Sequence, residues 1–147
     1  MRLISHRGNI NGPEPEFENL PIRIDHCIEL GFDVEIDLWK IDDKLFLGHD
    51  EPVYEINLDF LMKRKDSLWV HCKNLEALDY LNLSDITYFW HQGDDYTLTS
   101  KEYIWTYPKK NYDKFFGDQV ILDFSENVDF EFYKKKDIFA VCCDYLK

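Results

Sequence analysis

Three short segments in the first third of the chain carry the residues best suited to chemistry. They are Ser5-His6-Arg7-Gly8, Glu35-Ile36-Asp37 and Gly48-His49-Asp50. Each sits at the end of a short apolar run that reads as a β-strand. Residues two apart in a strand share a face. Glu35 and Asp37 therefore project together, while Val34, Ile36 and Leu38 face the other way. Two carboxylates aimed at one spot need a cation or a shared proton. Two nearby histidines supply a base and an acid, because imidazole exchanges a proton near neutral pH. The pattern points to metal-assisted acid–base chemistry.

The elements that must position these residues recur along the whole chain. Strand-like runs cover residues 2–6, 33–38, 44–49, 67–73, 87–91, 103–107, 119–123 and 138–143. Helix-like segments lie between some of them. One spans residues 20–30 and is stopped by Gly31; two others are capped by Asn57 and Asn74. Strands alternating with helices imply parallel pairing and an α/β architecture. Eight strands suggest a minimised (β/α)8 TIM-type barrel with several helices shortened or missing. The strand ends support it, offering His6, Asp37, His49, Lys73, His91, Tyr107, Asp123 and Asp144. Barrel enzymes build their sites at that rim.

Such barrels usually run to about 250 residues, and this chain has 147. Only Ile41–Asp43 separates the second and third runs, which suits a hairpin rather than a helix. The linkers 92–102 and 108–118 are also short. Stripped helices would expose apolar barrel flank, which a homodimer would cover. The Lys134-Lys135-Lys136 run reads as a solvated helix end.

The length predicts a single domain over residues 1–147. Hydrophobic residues make up 45% and aromatic ones 16%, enough for a core. The net charge of −12 argues against nucleic acid and against anionic membrane surfaces. A bound divalent cation would screen part of it. Cys27, Cys72, Cys142 and Cys143 match no zinc or redox motif and read as reduced, buried thiols. The chain enters a strand at once, without a secretion signal. No apolar run approaches the ~20 residues of a membrane span. The expectation is a cytoplasmic protein.

At these residues the chain resembles the glycerophosphodiester phosphodiesterase family, among the barrel phosphodiesterases that include phosphatidylinositol-specific phospholipase C. The matching motifs are His6-Arg7-Gly8, Glu18-Asn19 after Pro13 and Pro15, Glu35-Ile36-Asp37 and His49-Asp50, in the family's order and spacing. Weaker echoes are Lys73, Trp105-Thr106 and Cys143-Asp144-Tyr145. The resemblance implies hydrolysis of a glycerophosphodiester or related lipid head group, a small-molecule phosphodiester. It implies His6 and His49 as general base and acid, and Glu35 and Asp37 as ligands of a divalent metal, Mg²⁺ or Ca²⁺. Arg7 and Lys73 suit phosphate oxygens or ion pairs with the site carboxylates. Asn19 and Asp50 suit holding roles, for the loop after the first strand and for a histidine. Where the family has a third carboxylate, this chain has His71. The metal has changed, or Glu35 and Asp37 hold it with more water, or the site has lost activity. Two other functions stay open: a lyase that stops at a cyclic phosphate, and a non-catalytic barrel that binds a phosphorylated ligand.

Overall fold

Short runs of β-branched and aromatic residues separated by turn formers produce short strands, and short strands dominate this chain. The computed structural model describes residues 1–110 and 117–147. Its elements are β1 (Arg2–His6), α1 (Pro21–Glu29), β2 (Asp33–Ile41), β3 (Lys44–Leu47), β4 (Tyr54–Ile56), α2 (Leu58–Arg64) and β5 (Leu68–Cys72). There follow α3 (Leu75–Leu81), β6 (Thr87–Trp90), β7 (Tyr96–Leu98), β8 (Ile104–Thr106), β9 (Gln119–Leu122), α4 (Phe130–Lys135) and β10 (Ala140–Cys143). Part of the expected linker 108–118 lies outside the described residues.

The ten strands form one mixed sheet curled into a half-barrel. Hydrogen bonds link β6, β5, β2, β1, β10, β9 and β8 in that order, all parallel. β7 runs antiparallel to β8. Its segment reaches β6 through Ser100 N–H to the Tyr88 carbonyl at 2.7 Å and Thr97 Oγ1 to the Trp90 carbonyl at 2.9 Å.

This corrects the (β/α)8 expectation. Among the described residues seven strands are parallel, not eight, and the four helices are only six to nine residues long. The expected third barrel strand is β3, which is antiparallel to β2, with Ile41 opposite Lys44. Only Asp42 and Asp43 join the two. Two residues can close a hairpin but cannot make the crossover that parallel strands need. Asp42 takes the left-handed conformation of such a turn, φ +50. The expected linker 92–102 contains β7, too short to stand out by alternation.

The local signals for helices fold as read. Pro21 opens α1, and Gly31 beyond it has φ +88. Asn57 accepts from Phe60 N–H at 2.9 Å, and Asn74 accepts from Ala77 N–H at 3.1 Å. The lysine run closes α4. All four cysteines are buried and unpaired.

Period-two alternation assigns each strand two jobs. On β2 the residues Val34, Ile36 and Leu38 are fully buried in the core cluster that also holds helix residues Ile24, Leu61 and Ala77. Burying each such side chain contributes about 1.5–3 kcal/mol. The other face of the strands supplies a second core of Ile4, Trp69, Phe89, Trp105, Leu122 and Cys142. Farther along these strands, two residues on, come His6, His71, His91, Tyr107, Phe124 and Asp144. Because the strands are parallel, these groups gather at one rim. Asp123 does not join them. It bonds Ser125 and the Tyr133 hydroxyl, on the α4 side.

β3 matters because it returns the chain to that rim. Gly48 N–H donates to the Asp37 carbonyl at 3.1 Å, and the Gly48 carbonyl accepts from Trp39 Nε1 at 2.7 Å. A Cβ on Gly48 would lie 2.0 Å from the Glu51 carbonyl oxygen. Gly48→Ala should therefore force the loop apart and cost about 1–3 kcal/mol in urea unfolding. Wild-type stability in that variant would refute this account of the loop.

Candidate active site

β2 places Glu35 and Asp37 on the inner face, 3% and 0% exposed. A carboxylate so buried must be matched by donors, and Asp37 is. Its Oδ2 accepts from Asn19 Nδ2 at 2.9 Å, and its own N–H donates to Asn19 Oδ1 at 2.8 Å. Arg7 Nε lies 3.1 Å from Oδ2 and His49 Nδ1 3.4 Å. On the other oxygen, His71 Nδ1 lies at 3.1 Å and Lys73 Nζ at 3.4 Å. Burial alone would raise the Asp37 carboxyl. The hydrogen bonds of His49 and His71, with the charges of Arg7 and Lys73, outweigh it and hold the group well below the usual range.

Glu35 is the opposite case. Its Oε2 is buried with no hydrogen-bond donor. Burial first, and the Asp37 charge second, push its carboxyl well above the ordinary value; Arg7 and Lys73 offset this only in part. Two carboxylates on one face are thus split, one ionised and one reluctant to ionise.

Arg7 is bent into the site by its backbone. Its φ is +55, an uncommon conformation for a residue with a Cβ. The turn is pinned by Arg7 N–H to the Glu35 carbonyl at 3.0 Å and by Asn19 N–H to the Arg7 carbonyl at 2.9 Å. Asn19 also has positive φ, +61. Burial would lower the Arg7 guanidinium, but Glu35, Asp37 and Glu18 together raise it, so it stays charged. Glu18 accepts from Arg7 Nη1 at 3.1 Å.

His6 is oriented by Asp144, with Nδ1 2.8 Å from Oδ1. The same oxygen accepts from Asn9 Nδ2 at 2.9 Å. Burial would raise the Asp144 carboxyl, but the His6 hydrogen bond and charge, with Asn9, lower it. The carboxylate accepts only, so Nδ1 carries the proton and Nε2 faces the cavity. That nitrogen is 3.9 Å from Glu35 Oε2. His49 stands across from it, with Nε2 3.3 Å from Arg7 Nη2 and Nδ1 3.5 Å from Lys73 Nζ. Asp50 approaches His49 Nε2 at 3.6 Å, but its side chain is 94% exposed, so it holds the ring less firmly than Asp37 does.

These groups surround a cavity of about 230 Å³, whose far wall includes Phe89, His91, Trp105, Tyr107 and Phe124. His91 stacks on Tyr107 with centroids 3.7 Å apart. Burial and His71 lower His91 to about 4, so it is neutral at physiological pH. Burial, then the two carboxylates, hold the Tyr107 phenol far above its ordinary value.

Of the residues singled out in the sequence, His6, Arg7, Glu35, His49, His71 and Lys73 line this cavity, Asp37 and Asn19 are bonded together against it, and Asp50 stands outside it in solvent beside His49. Asp144 appeared in the sequence as a strand end and in the Cys143-Asp144-Tyr145 echo, Glu18 only as part of the Glu18-Asn19 motif, and Asn9 carried no signal. Asn9 reveals itself only in three dimensions, by bonding Asp144 and Glu18 at once. Glu35, Asp37 and His71 each offer a ligand atom, all within 4.8 Å of one another. The donorless Glu35 oxygen fits a cation there.

Comparison with known proteins returned no match to a family model, a curated protein or a solved structure. The resemblance to the glycerophosphodiester phosphodiesterases therefore stands on the motif residues alone. No helix among the described residues is long and apolar enough to cross a membrane.

The raised Glu35 carboxyl has a stability consequence. The folded chain holds this proton more tightly than the unfolded chain. The stabilisation is present below the ordinary value of 4.5 and is lost as pH rises towards the folded value. Glu35→Gln keeps the shape and removes the titration. With chelator present, its thermal stability should exceed that of the wild type at pH 8, and the gap should close by pH 4. A variant less stable than the wild type at pH 8 would overturn the assignment.

Proposed function

We propose that the protein hydrolyses a small phosphodiester, with His6 and His49 as base and acid. The observation that carries this reading is a cavity lined by both histidines together with Arg7 and Lys73, with Asp144 fixing one ring. A structural ion-pair network has no need for two histidines lining one cavity.

The chain's residues divide the work. Arg7 and Lys73 attract the phosphate and hold its non-bridging oxygens. His6 Nε2 takes a proton from water as the water oxygen bonds to phosphorus. The bond from phosphorus to the ester oxygen breaks, and His49 gives that oxygen a proton. The products are an alcohol and a phosphomonoester. Asp144 stabilises the charge that forms on His6 and keeps its tautomer. A divalent cation on Glu35, Asp37 and His71 would neutralise charge on the phosphoryl oxygens when bound. The cavity has room for a head group, and Arg7 and His49 also border a second cavity of about 440 Å³ with room for the rest of a substrate. A hydroxyl neighbouring the ester is a second attacking group, giving a cyclic phosphate first; a quenched time course without cyclic species would exclude that route.

The test is release of alcohol and phosphomonoester from a panel of glycerophosphodiesters, with divalent cations or with chelator. Turnover should require cation and fall by about 100-fold or more in His6→Ala. A folded protein inactive on the whole panel would overturn the hydrolase in favour of a phosphate-ligand binder. Asp144→Asn should lower kcat with little change in KM and should alter the pH profile that His6 imposes. An unchanged profile would remove Asp144 from its positioning role.

A further inference from the structure

We infer that the cation site prefers a first-row transition ion over Mg²⁺ and Ca²⁺, with the imidazole of His71 as its nitrogen ligand. This rests on reading Glu35, Asp37 and His71 as a cation site, and not on the reaction proposed above.

The hydrogen bonds of His71 lead there. Its Nε2 lies 3.3 Å from the His91 carbonyl oxygen. A carbonyl only accepts, so Nε2 carries hydrogen and Nδ1 is the nitrogen left to bind a cation. It lies 3.1 Å from Asp37 Oδ1, which Lys73 Nζ also approaches at 3.4 Å. Glu35 Oε2 is buried beside them and has no donor. Three ligand atoms within 4.8 Å of one another, one of them unmatched, define a place for a cation. A cation bound there displaces any proton that Nδ1 shares with Asp37.

The ring is held as a ligand is held. Phe89 stacks on it at 5.1 Å with the planes 5° apart. A backbone carbonyl on the far nitrogen is the usual outer partner of a metal-bound histidine, fixing tautomer and ring orientation. Ligands of one ion bound at ~2.0–2.2 Å sit up to about 4 Å apart, so the 4.8 Å limit of this group closes with side-chain movements under an ångström.

Ligand type then sets the preference. Mg²⁺ and Ca²⁺ bind almost wholly to oxygen. Exchanging one of three protein oxygens for an imidazole nitrogen shifts the site towards Mn²⁺, Co²⁺ and Zn²⁺.

Binding tests this without turnover. The full chain, as wild type and as His71→Glu, would be titrated with Co²⁺ by visible absorption, with Mg²⁺ as competitor. Mn²⁺ would be loaded for pulsed electron paramagnetic resonance, which detects a coordinated nitrogen. The wild type should show nitrogen coupling and favour Co²⁺. His71→Glu should still bind a cation, lose that coupling and narrow the Co²⁺ over Mg²⁺ preference by about tenfold or more. An unchanged preference, or no nitrogen coupling in the wild type, would overturn the inference and leave the hydrolase to its own turnover assay. Should His71→Glu fail to fold, His71→Gln serves: coupling that survives there assigns the nitrogen to another histidine and also overturns it.

Discussion

Asp37 is wholly buried, yet its carboxylate is met by an amide, a guanidinium, an ammonium and two imidazoles. The rest of the site depends on that one group. Arg7 comes from the turn after β1, Asn19 from the loop before α1, His49 from beyond β3, and His71 and Lys73 from the end of β5. These segments are far apart in sequence, and all of them meet at Asp37. Removing one partner of a buried ion pair costs about 3–5 kcal/mol, because the other charges stay behind uncompensated. Here the partners left behind would be Arg7 and Lys73, both largely shielded from water. The carboxylate is thus the point at which the fold and the site become one problem.

Parallel pairing solves most of it. With β6, β5, β2, β1, β10, β9 and β8 running the same way, their carboxyl ends share a rim whatever covers the outside. Chemistry at the rim needs the strand order, not a full set of long helices. Five of these strands enter the interior through an apolar residue and leave it through a polar one: Ile4 before His6, Trp69 before His71, Phe89 before His91, Trp105 before Tyr107, Cys142 before Asp144. The lower residues pack and the upper ones line the cavity. His49 alone takes another route, carried back to the rim by the β2–β3 hairpin.

What was legible in the sequence follows from the same physics. The shared face of Glu35 and Asp37 is a property of period two and needs no tertiary information. The asparagine caps of α2 and α3 and the glycine after α1 are equally local. The antiparallel course of β3 was present in the two-residue turn at Asp42-Asp43, but counting strands for a closed eightfold barrel set that signal aside. β7 was illegible because three residues with two exposed give no periodicity. Asp123 ends a strand as the site residues do, yet Tyr133 draws it to α4, a pairing no spacing rule announces. The Asp144–His6 bond joins residues 138 apart in sequence, so only the closing of β10 onto β1 reveals it.

The pair Glu35 and Asp37 also argues that the arrangement is more than structural support. A network selected for stability would place a donor opposite every buried oxygen, since an unmatched acceptor costs about 1–3 kcal/mol. Asp37 is treated in that way and Glu35 is not. An amide or an apolar side chain at position 35 would pack there without the penalty. The left-handed Arg7 backbone adds a second local cost, and it too lies at the cavity. The unmatched Glu35 oxygen, set beside two apolar cores, marks a place where binding rather than folding sets the residue type. On the reading proposed above, the missing partner of Glu35 is a cation shared with Asp37.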